Sequence, residues 1–531
     1  MPPISSLDLV ASDSWRQRSE LSSMADLPPD LDSAMSALDQ QFWVSTAKLK
    51  DIVARFREEL KEGLEKEGGN IPMNLSWVLG LSSGREKGRF LAIDLGGTNL
   101  RVCLKDGSGH GPNGKHTLTQ TKYTLPATLK TSSADHLWTF ITDALATFLS
   151  DHNLSDKYTT APSHRLPLGF TFSYPATQHR IDHGILQRWT KGFDIAGVEG
   201  EDVTAQFRSH LAAKNLPVDL VCLVNDTVGA MIASAYNDPQ TIAGAIFGTG
   251  CNAAYMQSLV REPASVPKLE LREDEWEALD REGKQTGQET VKMAINCEYG
   301  AFDNALRVLP RTEFDDAVDR ESPRPGEQAF EKMSAGLYLG EIFRLVLVGL
   351  VRRELLFTQN SKSMSKDGGE LGKEAEERGL EKLKKPYTID TGFLSAIEDD
   401  ESPQFRQTRD LFNKILHLSP SDPEIEFCRR LAELIAVRGA RLCACGIAAI
   451  CLNEGIQQGH VAADGSVANK HPKFKRRWAE ALGEILDWGD GNDGPIRLTS
   501  AEDGSGVGVA VIAAMTLERA QRGVRIGMGE S

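Results

Sequence analysis

Phe90-Leu-Ala-Ile-Asp94-Leu95-Gly96-Gly97-Thr98-Asn99-Leu100-Arg101-Val-Cys-Leu104 is the stretch that decides the fold class. Phe90 to Ile93 is an apolar run too short for a helix, and Leu100 to Leu104 returns as a second one. Asp94 to Asn99 between them is glycine-rich, so the stretch reads as two buried strands joined in a hairpin. Working outward, Leu137, Phe140, Ile141, Leu145 and Phe148 fall at helical spacing, and strands are expected at Leu166 to Phe172 and Val218 to Val224. Strands alternating with helices predict α/β layers. The design returns at Ala245-Ile246-Phe247, the turn Gly248-Thr249-Gly250 and Asn252 to Met256, which points to an internally duplicated fold.

The flanks add less. Met1 to about Ser36 is dense in Ser, Asp and Pro without apolar periodicity and reads as a mobile tail. Ser45 or Thr46 can cap a helix carrying Leu49, Ile52, Val53, Phe56, Leu60 and Leu64. Residues 358–385 read as a solvated loop or short exposed helix. Asp464-Gly465-Ser466 precedes a helix marked by Phe474, Trp478, Leu482 and Ile485, and Glu502 to Gly506 precedes an apolar helix from Val507 to Leu517.

With 531 residues the chain exceeds one ordinary core and is expected to form two lobes with a cleft. Its formal net charge of -15 argues against nucleic acid or anionic membrane as the main partner. No run of about 18 apolar residues is apparent, so no membrane span is expected, and the acidic start fits neither a secretory nor a transit signal. A cytosolic location follows. The eight cysteines lack zinc-type spacing and read as buried free thiols.

Phosphoryl transfer from ATP needs backbone N–H groups around phosphates, Mg²⁺, a base for the acceptor hydroxyl and exclusion of water. Gly96 and Gly97 let the backbone approach phosphate oxygens, Thr98 and Asn99 add donors, and Asp94 can hold Mg²⁺ through water. A plain tight turn is the alternative. Gly248, Thr249 and Gly250 can clamp the same phosphates from the opposite lobe. Asp226 stands where the run Val221 to Val224 ends, either as a base or as the cap of the following helix.

The run Leu168-Gly-Phe-Thr-Phe-Ser173-Tyr174-Pro175, with Ile181-Asp182, Gly184, Leu186 and Trp189-Thr190-Lys191-Gly192-Phe193, resembles the hexokinase signature. The likeness to yeast-type, single-unit hexokinases continues through Asn225-Asp226-Thr227, Gly248 to Asn252, Ile295 to Gly300, Gln328 to Met333, Ala463 to Val467 and Glu502 to Gly506. This resemblance implies an ATP:hexose 6-phosphotransferase on a two-lobed, duplicated actin-like ATPase (ribonuclease H-like) fold. Its segments would be residues 40–238, containing a small lobe at 90–224, and residues 243–517, mostly the large lobe, with the last helix returning to the small one. Lobe closure on sugar would assemble the site and exclude water.

The resemblance also implies a sugar site of Ser173, Tyr174, Thr190, Lys191, Asn225, Asp226, Asn252, Glu298, Gln328 and Glu331. Amides and carboxylates suit a ring of hydroxyls. Asp226 would take the 6-hydroxyl proton and Lys191 would offset charge on the transferred group. Asp94, Leu95, Gly96, Gly97, Thr98, Asn99, Arg101, Gly248, Thr249 and Gly250 would serve the phosphates, with Gly465 and Ser466 beside adenosine. The implied ligands are a hexose and Mg-ATP, and the implied assembly is a monomer or homodimer. Ala253, Val437 and the long 366–385 segment depart from the pattern; Ala253 bears on sugar affinity and Val437 on nucleotide affinity. Two rivals remain: a non-catalytic hexokinase-like sugar sensor, which loss of Asp226, Lys191 or a glycine turn would favour, and an actin- or chaperone-like ATPase, which has no use for a sugar site.

Overall fold

The computed structural model describes residues 19, 21, 26–107, 116–287, 289–357, 370–488, 494–501 and 504–529. Its strands are β1 (Asn74–Leu79), β2 (Gly88–Leu95), β3 (Asn99–Gly107), β4 (His116–Thr124), β5 (Leu166–Phe172), β6 (Ala176–Thr177), β7 (Ile185–Leu186), β8 (Val218–Val224), β9 (Thr241–Phe247), β10 (Cys251–Ser258), β11 (Lys292–Asn296), β12 (Gly459–Asp464) and β13 (Ile496–Ser500).

Two sheets carry the lobes, in the orders β4-β3-β2-β5-β8 and β1-β11-β10-β9-β12-β13. Each has an antiparallel hairpin (β2/β3 or β9/β10), an outer antiparallel strand beside it, and two parallel strands on the other side. Apart from β1 on one edge, the sheets are the same motif twice, as the two glycine turns imply.

Alternation along β2 explains why it is central. Leu91, Ile93 and Leu95 enter the small-lobe core, while Phe90 and Ala92 face the other core, because successive side chains leave opposite faces of a strand. The helices Ala134–Asp151 and Val203–Ala213 bury Leu137, Trp138, Ile141, Phe148 and Phe207 in the small-lobe core. Helix Gly504–Gln521 packs on the opposite side of this sheet and against helix Asp226–Asn237. Helix Thr46–Glu65 starts at Ser45, whose Oγ accepts from Lys48 N at 3.3 Å.

Two expectations change. Helix Pro29–Phe42 begins inside the stretch read as a tail, with Leu31, Met35 and Leu38 buried; the periodicity was hidden by Ser, Asp and Gln on its outer face. Most of residues 1–25, and residues 358–369, lie outside the described residues, whereas Glu370–Leu383 is helical. Helix Asp422–Glu454 is apolar and long enough to cross a membrane by composition, but it is a largely buried core helix. Its arginines are paired internally: Arg438 forks onto Asp315 at 2.8 and 2.8 Å, and Arg441 reaches Glu484. Val437 of that helix lines a cavity with Met35 and Trp43, so its side chain faces the N-terminal helix.

Helix Asp226–Asn237 is held by backbone contacts. A Cβ on Gly508 would fall 1.9 Å from Gly229 O, and one on Gly244 of β9 would fall 2.6 Å from Thr227 O. Gly508→Ala is therefore expected to destabilise the protein by about 1–3 kcal/mol, the cost of overpacking, in equilibrium denaturation, and to lower activity by displacing the N-terminus of this helix. Unchanged stability would show that the two helices separate freely.

Candidate active site

Functional side chains gather where strands end. Ser173 follows β5, Asn225 and Asp226 follow β8, and Gly465 and Ser466 follow β12, the carboxyl ends at which open α/β sheets bind ligands. Asn225 is the N-cap of helix Asp226–Asn237, its side chain accepting from Thr227 N at 2.9 Å. Asp226 is the first helical residue, so the capping role falls to Asn225 before it, and the two Asp226 oxygens meet different partners. Asp226 Oδ1 accepts from Thr227 N at 2.8 Å; Oδ2 lies 3.5 Å from Lys191 Nζ.

Lys191 also donates from Nζ to Ser173 O at 2.8 Å and stands 5.5 Å from the centroid of the Tyr174 ring. Tyr174 is buried among Phe172, Trp189 and Phe193, and its hydroxyl donates to Gly96 O at 3.2 Å. It props the first glycine turn from beneath. A Cβ on Gly97 would sit 3.3 Å from Lys191 Cβ, so the turn and the lysine stem are in contact.

The first turn is closed by Gly96 N donating to Asn99 O at 3.1 Å, and it leaves Thr98 exposed. Asp94, at the end of β2, lies 3.9 Å from Arg101. Leu95 points into the small-lobe core and contributes only backbone, its carbonyl accepting from Ser173 N at 3.4 Å. In the second turn Gly248 N donates to Gly250 O at 3.0 Å, and Thr249 is exposed. A Cβ on Gly248 would lie 3.1 Å from Gly465 Cα and 3.4 Å from Ser466 N, so these two loops meet at backbone distance, with Gly465 at φ +111°. Side chains are excluded there, which leaves room for a ligand to reach the main chain.

Between Asp226 and the second turn lies a polar ring. Asn252 Nδ2 contacts Asn296 Oδ1 at 2.7 Å, Thr227 Oγ1 at 3.0 Å and Glu298 Oε1 at 3.2 Å, and its Oδ1 accepts from Glu298 N at 2.9 Å. Glu298 Oε1 also receives Asn296 Nδ2 at 2.9 Å and Asn225 Nδ2 at 3.4 Å. Glu331 Oε2 accepts from Cys251 N at 3.1 Å and leaves a Cβ on Gly250 only 2.6 Å away. Gln328 Oε1 abuts Gly300. Thr190 is half-buried beside Lys191. Lys191, Glu298 and Gln328 have φ of 57°, 55° and 57°, a conformation that persists where surroundings over-determine it.

Burial raises both carboxyls. Glu298 is raised first by desolvation and then by Asp226, against the Asn296 hydrogen bond and the attraction of Lys191 and Arg188; desolvation, with Glu298 adding, pushes Glu331 up to about 7. The sequence reasoning missed Asn296 and Thr227, which hold Asn252 and Glu298, and Gly336, whose N–H donates to Gly248 O at 2.7 Å. Asn296 was legible in the Ile295-Asn-Cys-Glu298 run. Gly336 was not, since its role is a long-range backbone contact.

Hexokinase family profiles match residues 34–236 and 242–515. The chain is 46% identical to the hexokinase of Emericella nidulans over 97% of each chain, and 46% identical to Hexokinase-1 of Saccharomyces cerevisiae over 95% of this chain and 96% of that one. It is similar to the solved structure of Schistosoma mansoni hexokinase complexed with glucose, with a TM-score of 0.75 and 31% identity, over 92% of this chain and 99% of that one. The two lobes and their cleft define a sugar-kinase type of actin-like ATPase fold. Within that class, the chain belongs to the hexokinase family.

The raised Glu331 carboxyl has a consequence for the sugar-free protein. The folded state keeps this proton up to about pH 7 while the unfolded chain releases it near 4.5, so stability falls as pH rises through that window and stays lower above it. Glu331→Gln should melt roughly 1–3 °C above wild type at about pH 8 and converge with it toward about pH 5. Equal melting temperatures at both pH values would show that Glu331 carries no burial penalty.

Proposed function

We propose that the chain transfers the γ-phosphate of Mg-ATP to the 6-hydroxyl of glucose, and also of fructose and mannose, with Asp226 as general base. It is an ATP-dependent hexokinase acting in carbohydrate phosphorylation, at the first step of glycolysis. The observation that carries the residue assignment is the 3.5 Å approach of Lys191 Nζ to Asp226 Oδ2 between the glycine turns and the polar ring.

Mg²⁺, bound together with ATP, would neutralise charge on its phosphates. The donor set fits that mode, because among the described residues no cluster of three metal-ligating side chains exists, and Asp94 beside the first turn can hold one of the ion's waters. The turns Gly96 to Asn99 and Gly248 to Gly250 receive the phosphates on backbone N–H groups other than those of Gly96 and Gly248, which close the turns, and Gly465 and Ser466 border the nucleoside. Asn225, Asn252, Glu298, Gln328 and Glu331 pair with sugar hydroxyls, so an analogue lacking one leaves a buried group unsatisfied. Asp226 Oδ1 is committed to the helix start, which directs Oδ2 to the acceptor proton. As the proton passes to Asp226 Oδ2, the 6-oxygen attacks the γ-phosphorus in line, and the bond from that phosphorus to the β–γ bridging oxygen breaks to release ADP. Lys191 then balances the charge that shifts toward the phosphoryl oxygens.

All eight cysteines are buried and none forms a disulfide, which supports work in the reducing cytosol; the expected assembly is a monomer or homodimer. Asp226→Ala is expected to lower kcat by about 10² to 10⁴ in a coupled ADP assay, while glucose still raises its melting temperature. Near-normal turnover would remove Asp226 from the chemistry. Ser173→Ala should act mainly on sugar, raising glucose KM several-fold at constant ATP KM.

A further inference from the structure

Four charged side chains face one another across the rim of the cleft. Arg188 and Glu199 lie on the small-lobe segment after β7, which also carries Thr190 and Lys191. Arg324 and Glu327 lie on the large-lobe segment that leads into helix Ala329–Ser334, next to Gln328. Arg188 Nη1 is 3.8 Å from Glu327 Oε2, Arg324 Nη2 is 3.8 Å from Glu199 Oε1, and Arg324 Nη1 is 3.8 Å from Glu327 Oε2. Charge-assisted hydrogen bonds form at about 2.8 Å, so each pair stands about one ångström short of direct contact.

The Glu199 carboxylate and the backbone of the Arg324 segment are anchored. Glu199 Oε1 accepts from Trp189 N at 2.5 Å, which anchors it to the small lobe. Glu327 N donates to Arg324 O, which turns the large-lobe segment back on itself. The Glu327 side chain is 41% exposed, but its Oε2 is turned inward, buried, and accepts no hydrogen bond from a described residue. A buried acceptor without a donor is costly, and the cost falls when a donor arrives. Arg188, with 24% of its side chain exposed, also adds attraction at Glu298 and Glu331 inside the cleft.

We propose that Arg188 and Glu327 are positioning residues for the sugar-bound state: a small approach of the lobes closes their pair into a hydrogen bond that holds the Lys191 segment against the Gln328 segment. Arg324 and Glu199 form a parallel strut. The inference rests on reading the cleft as a hexose site. An isolated surface ion pair contributes little. This one differs because its closure satisfies a buried oxygen and joins two segments that both bear sugar-site residues.

The test is glucose kinetics at saturating Mg-ATP, in low salt and in about 0.5 M NaCl, where the Debye length is only a few ångströms. The full-length wild type, Arg188→Gln, Glu327→Gln, Arg188→Lys and the charge-swapped pair Arg188→Glu with Glu327→Arg are compared. Wild-type glucose KM should rise with salt. Each Gln variant should raise KM roughly five-fold in low salt, show a weaker salt dependence than the wild type, since the Arg324–Glu199 strut remains, and keep kcat. Arg188→Lys should stay near wild type, and the swapped pair should recover most of the loss. A wild-type KM indifferent to salt overturns the proposal even if the variants fold poorly, as does a charge swap no better than the single changes. Absence of glucose-dependent turnover in the wild type would instead overturn the hexokinase reading, so the two failures are distinct.

Discussion

The position of helix Asp226–Asn237 depends on backbone meeting backbone on both sides. Gly508 of the C-terminal helix leaves no room for a methyl group against Gly229, and Gly244 of the large sheet leaves none against Thr227 and Met231. The helix is thereby wedged between the C-terminal helix that backs the small-lobe sheet and strand β9 of the large sheet. Asp226 and Asn225 sit at its N-terminal end, so the spacing of two glycine contacts fixes where the carboxylate proposed as the base stands. Displacement of a reacting group by an ångström can cost two orders of magnitude in rate, which makes this packing part of the chemistry.

From that helix a continuous line of contacts runs through the cleft. Gly97 touches Lys191, Lys191 reaches Asp226, and Thr227 touches Asn252; Asn252 holds Glu298, and Glu331 closes onto Cys251 and Gly250. The glycine turn of one lobe is thus joined to that of the other by the residues assigned to the acceptor. The arrangement concentrates carboxylates. Asp226 raises the cost of ionising Glu298, and Lys191 and Arg188 are the cations that pull against it there. A ligand rich in hydroxyl donors relieves that cost by hydrogen bonding to the ionised groups, so binding draws on free energy already stored in the empty site.

Local pattern made much of this readable. The alternation of Phe90 to Leu95, the runs Leu166 to Phe172 and Val218 to Val224, and the repeated glycine turn all became strands and turns where the sequence places them, because each is short-range and buried on both faces. Helix Pro29–Phe42 escaped because polar residues dilute its apolar stripe. Tyr174, counted with the sugar residues, also props Gly96 from below, a contact that no local pattern shows. Asn296 lay inside a quoted run without showing that it orients both Asn252 and Glu298.

By itself the sequence determined the duplicated α/β plan, the two glycine turns, the acidic residue at a strand end and membership of the hexokinase family, because these rest on periodicity, turn chemistry and contiguous runs. Only the tertiary structure decided which oxygen of Asp226 is committed to the helix, how Gly248 meets Gly465, how far burial lifts Glu331, and that Arg188 faces Glu327 across the cleft. Those properties depend on distances and desolvation between segments far apart in the chain, and no local pattern encodes either.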